Sequence, residues 1–157
     1  MVLDVGKVKL TLTLKGFDKL LEQIQEADGD IKEATERALE AGAKLISDDI
    51  RAGATARNIP TGNMIKPKAE WNGNRASIKA GFELGEYDPR KPSDGYLALL
   101  KEYGAPADSG KRITKTGKNR GRVIADPFIR PALTQNKKNV QAAQRKALER
   151  ILKNLGG

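Results

Sequence analysis

A long helical pattern with a stripe of small residues constrains the fold of this chain more than any other feature. Asp30, with Glu33 three residues later, has the form of a capped helix start, and the apolar pattern continues to about Arg51. At 1.5 Å per residue such a helix is about 33 Å long. Gly42 lowers its helix propensity by about 1 kcal/mol relative to alanine, so we predict that a closely packed neighbour offsets this cost. The apolar face comprises Ile31, Ala34, Ala38, Ala41 and Leu45, with Gly42, Ile46 and Ile50 beside it.

Patterns of period two predict a small antiparallel sheet. Residues 8–14 alternate apolar and polar side chains, which indicates a half-buried strand. Residues 65–82 alternate on both sides of an Asn-Gly pair at positions 72 and 73, which predicts a hairpin. Pro67 cannot donate to a ladder, so its strand is expected at an edge or at a bulge. Between the strand and the long helix, Phe17, Leu20, Leu21 and Ile24 predict a short amphipathic helix that ends near Ala27.

The C-terminal half combines a short apolar segment, a basic tract and a second long helix. Residues 96–103 are apolar over a length at which helix and strand patterns are hard to separate. Residues 105–125 have little hydrophobic content and are expected to form a mobile loop. Pro127 and Pro131 are expected to keep residues 128–130 extended, and Pro131 suits the first turn of the last helix. That helix is predicted to bury Leu133, Val140, Ala147, Ile151 and Leu155, with Ala143, Leu148 and Leu152 alongside.

These patterns together predict one α+β domain over residues 1–157, with the mobile basic loop at 105–125. A long central helix and a long C-terminal helix are expected to pack on a small antiparallel sheet formed by the N-terminal strand and the hairpin. Residues 53–62, with a turn at 60–62, and residues 83–95 are predicted loops. The chain has one Trp, three Tyr and three Phe, so the core must rest on aliphatic side chains.

Composition makes several classes of function less probable. The chain has no Cys, hence no disulfide or thiolate metal site, and no His, which removes the commonest general base and zinc ligand. Residues 1–14 carry Lys at alternate positions without a continuous apolar stretch, so they do not predict a signal peptide. No segment approaches the ~18 apolar residues of a membrane span. We therefore expect a protein that is made in the cytoplasm, has no membrane partner and needs no cofactor or metal.

Catalytic patterns fail on spacing or on missing partners. A phosphate-binding loop needs Gly, four residues and then Gly-Lys-Ser/Thr, but Gly117 and Lys118 are followed by Asn119. Asp48 and Asp49 are neighbours on a helix, about 100° apart, and do not form a facing carboxylate pair. Ser47 and Ser93 have no His to activate them. We therefore predict that the protein is not an enzyme.

The basic tract at residues 111–122, within the predicted loop 105–125, is the strongest candidate for contact with a polyanion. The chain has a net charge of +9, and such an excess favours nucleic acid, anionic surfaces or acidic proteins. Contact with DNA backbone needs only Lys and Arg, and the tract has no aromatic residues for base stacking, so any such contact would be independent of sequence. A solvated loop without a ligand is the alternative. The candidates for contact with a DNA lumen or a partner are Lys111, Arg112, Lys115, Lys118, Arg120 and Arg122.

Four residues near the two prolines are candidates for contacts between subunits. Phe128 and Arg130 stand between Pro127 and Pro131, and an aromatic residue with an Arg in such a segment suits an interface. Glu102 and Tyr103 belong to the preceding apolar segment. The alternative for Phe128, for Tyr103 and for Trp71 is an ordinary place in the core, and the sequence leaves both open.

Short blocks stand in a fixed order along the chain. They are Gly16-Phe17-Asp18; Ala38, Leu39, Gly42, Ala43, Lys44 and Arg51; Pro60-Thr61-Gly62-Asn63-Met64; Tyr96, Glu102, Tyr103 and Gly104; and Pro127 to Ala132. In these blocks and their order the chain resembles the tail-component family of long-tailed phages and prophages, typified by gene product ten of a lambda-like siphophage. The resemblance spans about 90% of the chain. The turn at residues 60–64 is one residue shorter than the family pattern, with Met64 in place of Leu, and Ala105 stands where the family has Thr.

The resemblance implies a structural virion protein. Such a protein lies at the neck or at the head-proximal end of the tail, where it completes the tail or joins it to the head. The expected partners are identical subunits in a ring of six, neighbouring neck or tail-tube proteins, and genomic DNA passing through the lumen. Two other classes remain open: a sequence-independent DNA-binding protein that acts through residues 111–122, and an enzyme such as a small nuclease, which would need a carboxylate cluster for metal.

Overall fold

The computed structural model describes residues 2–3, 8–85, 88, 90–104 and 123–156. Along the chain, two strands are followed by two helices, and this order occurs twice, as expected for an α+β protein. Their bounds are β1 Val2–Leu3, β2 Lys9–Leu12, α1 Asp18–Glu26, α2 Ile31–Ala56, β3 Glu70–Asn72, β4 Arg75–Gly81, α3 Asp94–Tyr103 and α4 Ile129–Gly156.

The strands form one antiparallel sheet in the order β1-β2-β4-β3. β2 pairs with β4 from Lys9 opposite Gly81 to Leu12 opposite Ile78. α2 packs on this sheet, and α4 packs on α2 and joins the same core through Ile129 and Val140. The predicted fold class, a small antiparallel sheet with a long central and a long C-terminal helix, is therefore confirmed.

The hairpin has the predicted place but a shorter first strand. Asn72 pairs with Arg75, so Gly73 and Asn74 form the loop, and Gly73 takes the positive φ of +64° that such a loop requires. β3 is the edge strand, as the proline suggested, but it begins only at Glu70 and leaves Pro67 outside the ladder. Before β3, the chain forms one hydrogen bond to β4, in which the Ile65 N–H donates to the Gly81 carbonyl at 2.8 Å.

The central helix starts where predicted and ends later than predicted. The Asp30 side chain accepts a hydrogen bond from the Glu33 N–H at 3.2 Å, which is the expected cap. The predicted end near Arg51 and the predicted loop from Gly53 are wrong, because the helix continues to Ala56. Gly53 lies against the side chain of Phe128, where an added Cβ would be 2.9 Å from the Phe128 Cβ. Tertiary packing therefore overrides the low helix propensity of Gly53.

The two long helices are in close contact at Gly42. A Cβ at this position would lie 3.0 Å from Val140 Cγ1 and 3.1 Å from Gln144 Nε2, both on α4. The prediction of a closely packed neighbour is confirmed. The buried face of α2 is wider than the predicted stripe, because the helix contacts the sheet on one side and α4 on another. Its buried residues are Ala34, Ala38, Leu39, Gly42, Ala43, Ile46, Ser47, Ile50 and Ala54.

The C-terminal half resolves one open question and corrects two predictions. Residues 96–103 are helical, as part of α3. Residues 128–130 are not held extended, because α4 already begins at Ile129 and contains Pro131 in its first turn. On α4, Val140 and Leu148 are buried as predicted, whereas Leu155 is 41% exposed. The predicted mobile loop falls largely on residues 105–122, which lie outside the described part of the chain.

Candidate functional site

A buried carboxylate joins the end of α3 to the start of α4. Glu102 is fully buried, and its Oε1 accepts hydrogen bonds from the N–H groups of Phe128 and Ile129, both at 2.8 Å. Its Oε2 accepts from the Arg130 N–H at 2.9 Å. The first N–H groups of a helix have no partner within the helix and carry partial positive charge. Glu102 therefore accepts the hydrogen bonds of the N–H groups at the start of α4, although it lies in a distant part of the sequence.

The Arg130 side chain returns to the same residue. Its Nε donates to Glu102 Oε2 at 2.7 Å, and its Nη2 donates to the Glu102 backbone carbonyl at 2.6 Å. The guanidinium carbon lies 4.8 Å from the centre of the Tyr103 ring. The Arg130 side chain is 44% exposed and Tyr103 is 36% exposed. We call the set of Glu102, Tyr103, Phe128 and Arg130 the helix-start cluster.

Arg57 holds the other side of the same segment. Its Nε donates to the Asp126 carbonyl at 3.1 Å and its Nη2 to the Asp126 carboxylate at 3.0 Å. Its Nη1 donates to the Gly53 carbonyl at 2.9 Å, and its guanidinium lies 5.2 Å from the Phe128 ring centre. Glu102 thus satisfies N–H groups of residues 128–130, while Arg57 satisfies carbonyls next to them. The segment between the basic tract and α4 is fixed from both sides.

Local sequence places α3 so that Glu102 can reach this point. Ser93 caps the helix by accepting from the Tyr96 N–H at 3.1 Å, and its hydroxyl donates to the Leu84 carbonyl at 2.7 Å. Gly95 lets the first turn lie against the backbone, since a Cβ there would collide with the Glu83 carbonyl oxygen. Gly104 ends the helix with a φ of +74°.

Hydrogen bonding determines the ionisation of Glu102. Burial raises the pKa of this carboxyl, but the hydrogen bonds from Ile129, from Arg130 and from Phe128 together outweigh the burial. The net effect holds the pKa of Glu102 below its ordinary value of 4.5. The carboxylate is therefore charged at neutral pH, which suits a group that accepts four hydrogen bonds.

This lowered pKa predicts a loss of stability in acid. The contribution of ionised Glu102 is fully present above its unfolded pKa, the ordinary value of 4.5, and is lost as the pH falls through its lower folded pKa. We expect the difference in urea midpoint between the native protein and Glu102→Gln to stay constant from pH 7 to about pH 4.5 and to shrink below it. Urea unfolding followed by circular dichroism from pH 7 to pH 3 measures this. Glu149→Gln, at an exposed position on α4, is the control; a constant difference for Glu102→Gln down to pH 3 would contradict the assignment.

The four subunit-interface candidates are brought together, but they differ in accessibility. Glu102 and Phe128 are buried within their own chain, and of the four only Tyr103 and Arg130 are exposed. Sequence reasoning missed Arg57, because one arginine among 29 Lys and Arg residues has no pattern of its own. Trp71, which was open between core and interface, lies half-buried at the hairpin and donates to Glu36 Oε1 at 2.7 Å.

The basic residues of 111–122 lie outside the described residues. Across the described ranges, no three acidic residues are grouped so that they could hold a metal ion. Within those same ranges, no helix is both long and apolar enough to cross a membrane. The arrangement of the helix-start cluster can fix a helix and present an aromatic–cationic pair at the surface.

Comparison of the chain with protein-family models, curated proteins and solved structures gave no match.

Proposed function

We propose that this protein is a structural virion component of a tailed phage or prophage. It forms a ring of identical subunits, six in the expected form, that completes the tail or joins the head to it. The ring contacts neighbouring neck or tail-tube proteins, and DNA passes through its lumen. The proposal assigns the protein to the virion, after assembly in the host cytoplasm, and assigns it no catalytic role.

The helix-start cluster carries the proposal. Two of the blocks that resemble the tail-component family, residues 96–104 and residues 127–132, meet in it through Glu102. Those blocks therefore describe one physical unit, and its exposed members are Tyr103 and Arg130. A rigid aromatic side chain with an Arg is the kind of pair that interfaces favour.

An exposed apolar residue lies on the segment that passes the end of α3. Ile124 is 78% exposed, and its segment passes close to Gly104, where an added Cβ would lie 2.8 Å from the Val123 carbonyl oxygen. Binding of a partner to this residue would remove its apolar surface from water, which is favourable. We assign Tyr103, Ile124 and Arg130 to the contact with the next subunit or the adjoining ring.

The alternative is a sequence-independent DNA-binding protein, and it makes a different prediction for the isolated chain. Six cationic residues in 111–122 could each neutralise one phosphate. The logarithm of affinity would then fall with the logarithm of salt concentration at a slope of about −5. A ring component binds DNA weakly or not at all as a monomer, because its cations act only when several copies surround one duplex.

Electron microscopy of particles produced without this gene tests the proposed function. We expect full heads lying apart from tails, or tails of abnormal length, because a ring at the junction is missing. Normal, infectious, tailed particles would contradict the virion assignment and leave DNA binding by the isolated protein as the question.

Complementation of the same deletion separates the surface from the basic tract. Tyr103→Ser with Ile124→Asp is expected to give folded protein that does not restore tailed particles. A chain with all Lys and Arg of residues 111–122 changed to Gln tests whether the tract is needed. Exposed Lys146→Ser with Lys153→Ser on α4 is the control and is expected to restore particles. Full restoration by the Tyr103 and Ile124 double variant would contradict the assigned contact surface.

A further inference from the structure

A groove that shares no residue with the helix-start cluster has an apolar floor that is only half-buried among the described residues. It lies between α1, the first turn of α2 and the tip of the β3–β4 hairpin, and its volume is about 870 Å³. The floor is formed by half-buried apolar side chains from all of these elements, so it is a built feature of the tertiary structure. These floor residues are Leu14, Leu21, Ile31, Trp71 and Ala76.

The rim of this groove is positively charged. Lys15, Lys32 and Arg75 line it and are exposed, and none of the three forms an ion pair with a carboxylate among the described residues. Among the described residues that line the groove, none is acidic. An apolar floor with free cations around it is complementary to a segment that carries apolar side chains on one face and carboxylates beside them.

We propose that this groove binds an acidic amphipathic segment of another polypeptide. The apolar face of the segment packs on the floor beside Trp71, and its carboxylates pair with Lys15, Lys32 and Arg75. The proposal does not depend on the virion assignment, since it rests on the groove alone.

Two other occupants fit less well. Nucleic acid has no apolar side chains for the aliphatic floor, and the Trp71 ring already has the Lys32 Nζ 5.6 Å from its centre, which competes with a stacked base. A second copy of this chain brings a net charge of +9 toward a basic rim. Charge therefore favours an acidic partner of a different sequence.

Trp71 makes the proposal testable, because it is the one Trp in the chain. The probe is a synthetic 14-residue helical peptide of Leu and Glu, with Leu at positions three and four apart. One comparison peptide has Lys in place of Glu, and another has Ser in place of Leu. We expect the Leu–Glu peptide alone to give a saturable change in Trp71 fluorescence, and calorimetry to give the same Kd.

Charge reversal at the rim is the decisive variant. Lys15→Glu, Lys32→Glu and Arg75→Glu together are expected to raise the Kd for the Leu–Glu peptide at least tenfold. The matched control reverses three exposed cations on α4, Lys146→Glu, Arg150→Glu and Lys153→Glu, and is expected to leave the Kd within twofold. Both variants change the net charge equally, so the comparison separates the groove from general electrostatics.

Four results would overturn the proposal. The first is the absence of a saturable Trp71 signal with the Leu–Glu peptide, and the second is a Kd for the Lys peptide equal to that for the Leu–Glu peptide. The third is a rise in Kd for the α4 control variant equal to that for the groove-rim variant. The fourth is a Trp71 signal that changes with protein concentration alone. The last result would identify a second copy of this chain as the occupant. Circular dichroism of each variant establishes that it is folded before its Kd is compared.

Discussion

Replacing Glu102 with alanine is expected to lower the free energy of unfolding by about 3–5 kcal/mol. The substitution removes a fully buried carboxylate that accepts from the N–H groups of Phe128, Ile129 and Arg130. These donors would lose their partner at the start of α4, where no intrahelical acceptor exists. Arg130 would also lose its ion pair at 2.7 Å. Urea unfolding at pH 7, followed by circular dichroism, measures the change.

Two further variants show whether the effect comes from the carboxylate. Glu149→Ala removes the same side chain from an exposed position on α4 and is expected to change the free energy of unfolding by less than about 0.5 kcal/mol. Glu102→Gln keeps the shape and one acceptor, and is expected to lie between Glu102→Ala and the native protein. A loss for Glu102→Ala no larger than for Glu149→Ala would show that the helix-start cluster does not stabilise α4.

Replacing Gly42 with leucine is expected to cost about 3 kcal/mol or more. Even a Cβ at this position would lie 3.0 Å from Val140 Cγ1 and 3.1 Å from Gln144 Nε2, so a larger side chain must separate α2 from α4. Their contact is the most extensive between any two elements of the described chain, and separation would expose its apolar surface. Thermal and urea unfolding of the variant measure the effect.

The same helix supplies the control for Gly42. Ala52→Leu adds a leucine at an exposed position of α2 and is expected to leave stability within about 0.5 kcal/mol of the native protein. Gly42→Ala is an intermediate case, in which the gain in helix propensity competes with the tight contact to Val140. Equal stability of Gly42→Leu and Ala52→Leu would mean that the two helices do not need their close approach.

The sequence was informative wherever a structure depends on neighbours within a few residues. The Asp30 cap involves Glu33, three residues away, and the hairpin loop involves only Gly73 and Asn74 between paired residues. Gly42 was informative for a similar reason, because a Gly within a helical pattern has a local cost that a close neighbour can explain. The α+β class follows from these periodicities.

The sequence was insufficient where distant residues decide the local structure. α2 runs through Gly53 to Ala56, because Phe128 packs on Gly53. The residues between Pro127 and Pro131 enter α4 because Glu102, 26 residues before Phe128, accepts their N–H groups. Arg57 reaches Asp126 across 69 positions of the chain. None of these pairings leaves a pattern in one sequence.

The helix-start cluster was likewise predicted in part from the sequence and decided in part by tertiary packing. Sequence reasoning singled out Glu102, Tyr103, Phe128 and Arg130, but it could not separate the buried members from the exposed ones. Burial of Glu102 and Phe128 depends on how α3 and α4 approach each other, which is a property of the packed core.

The sequence by itself determined the class of fold, the cap of α2, the hairpin and the need for a close neighbour at Gly42. These rest on hydrogen bonds and periodicities that act within one or two turns of chain. Only the tertiary structure decided the length of α2, the start of α4 and the groove beside Trp71. Each of these depends on contacts between elements far apart in sequence, and their free energy is gained only when the elements pack together.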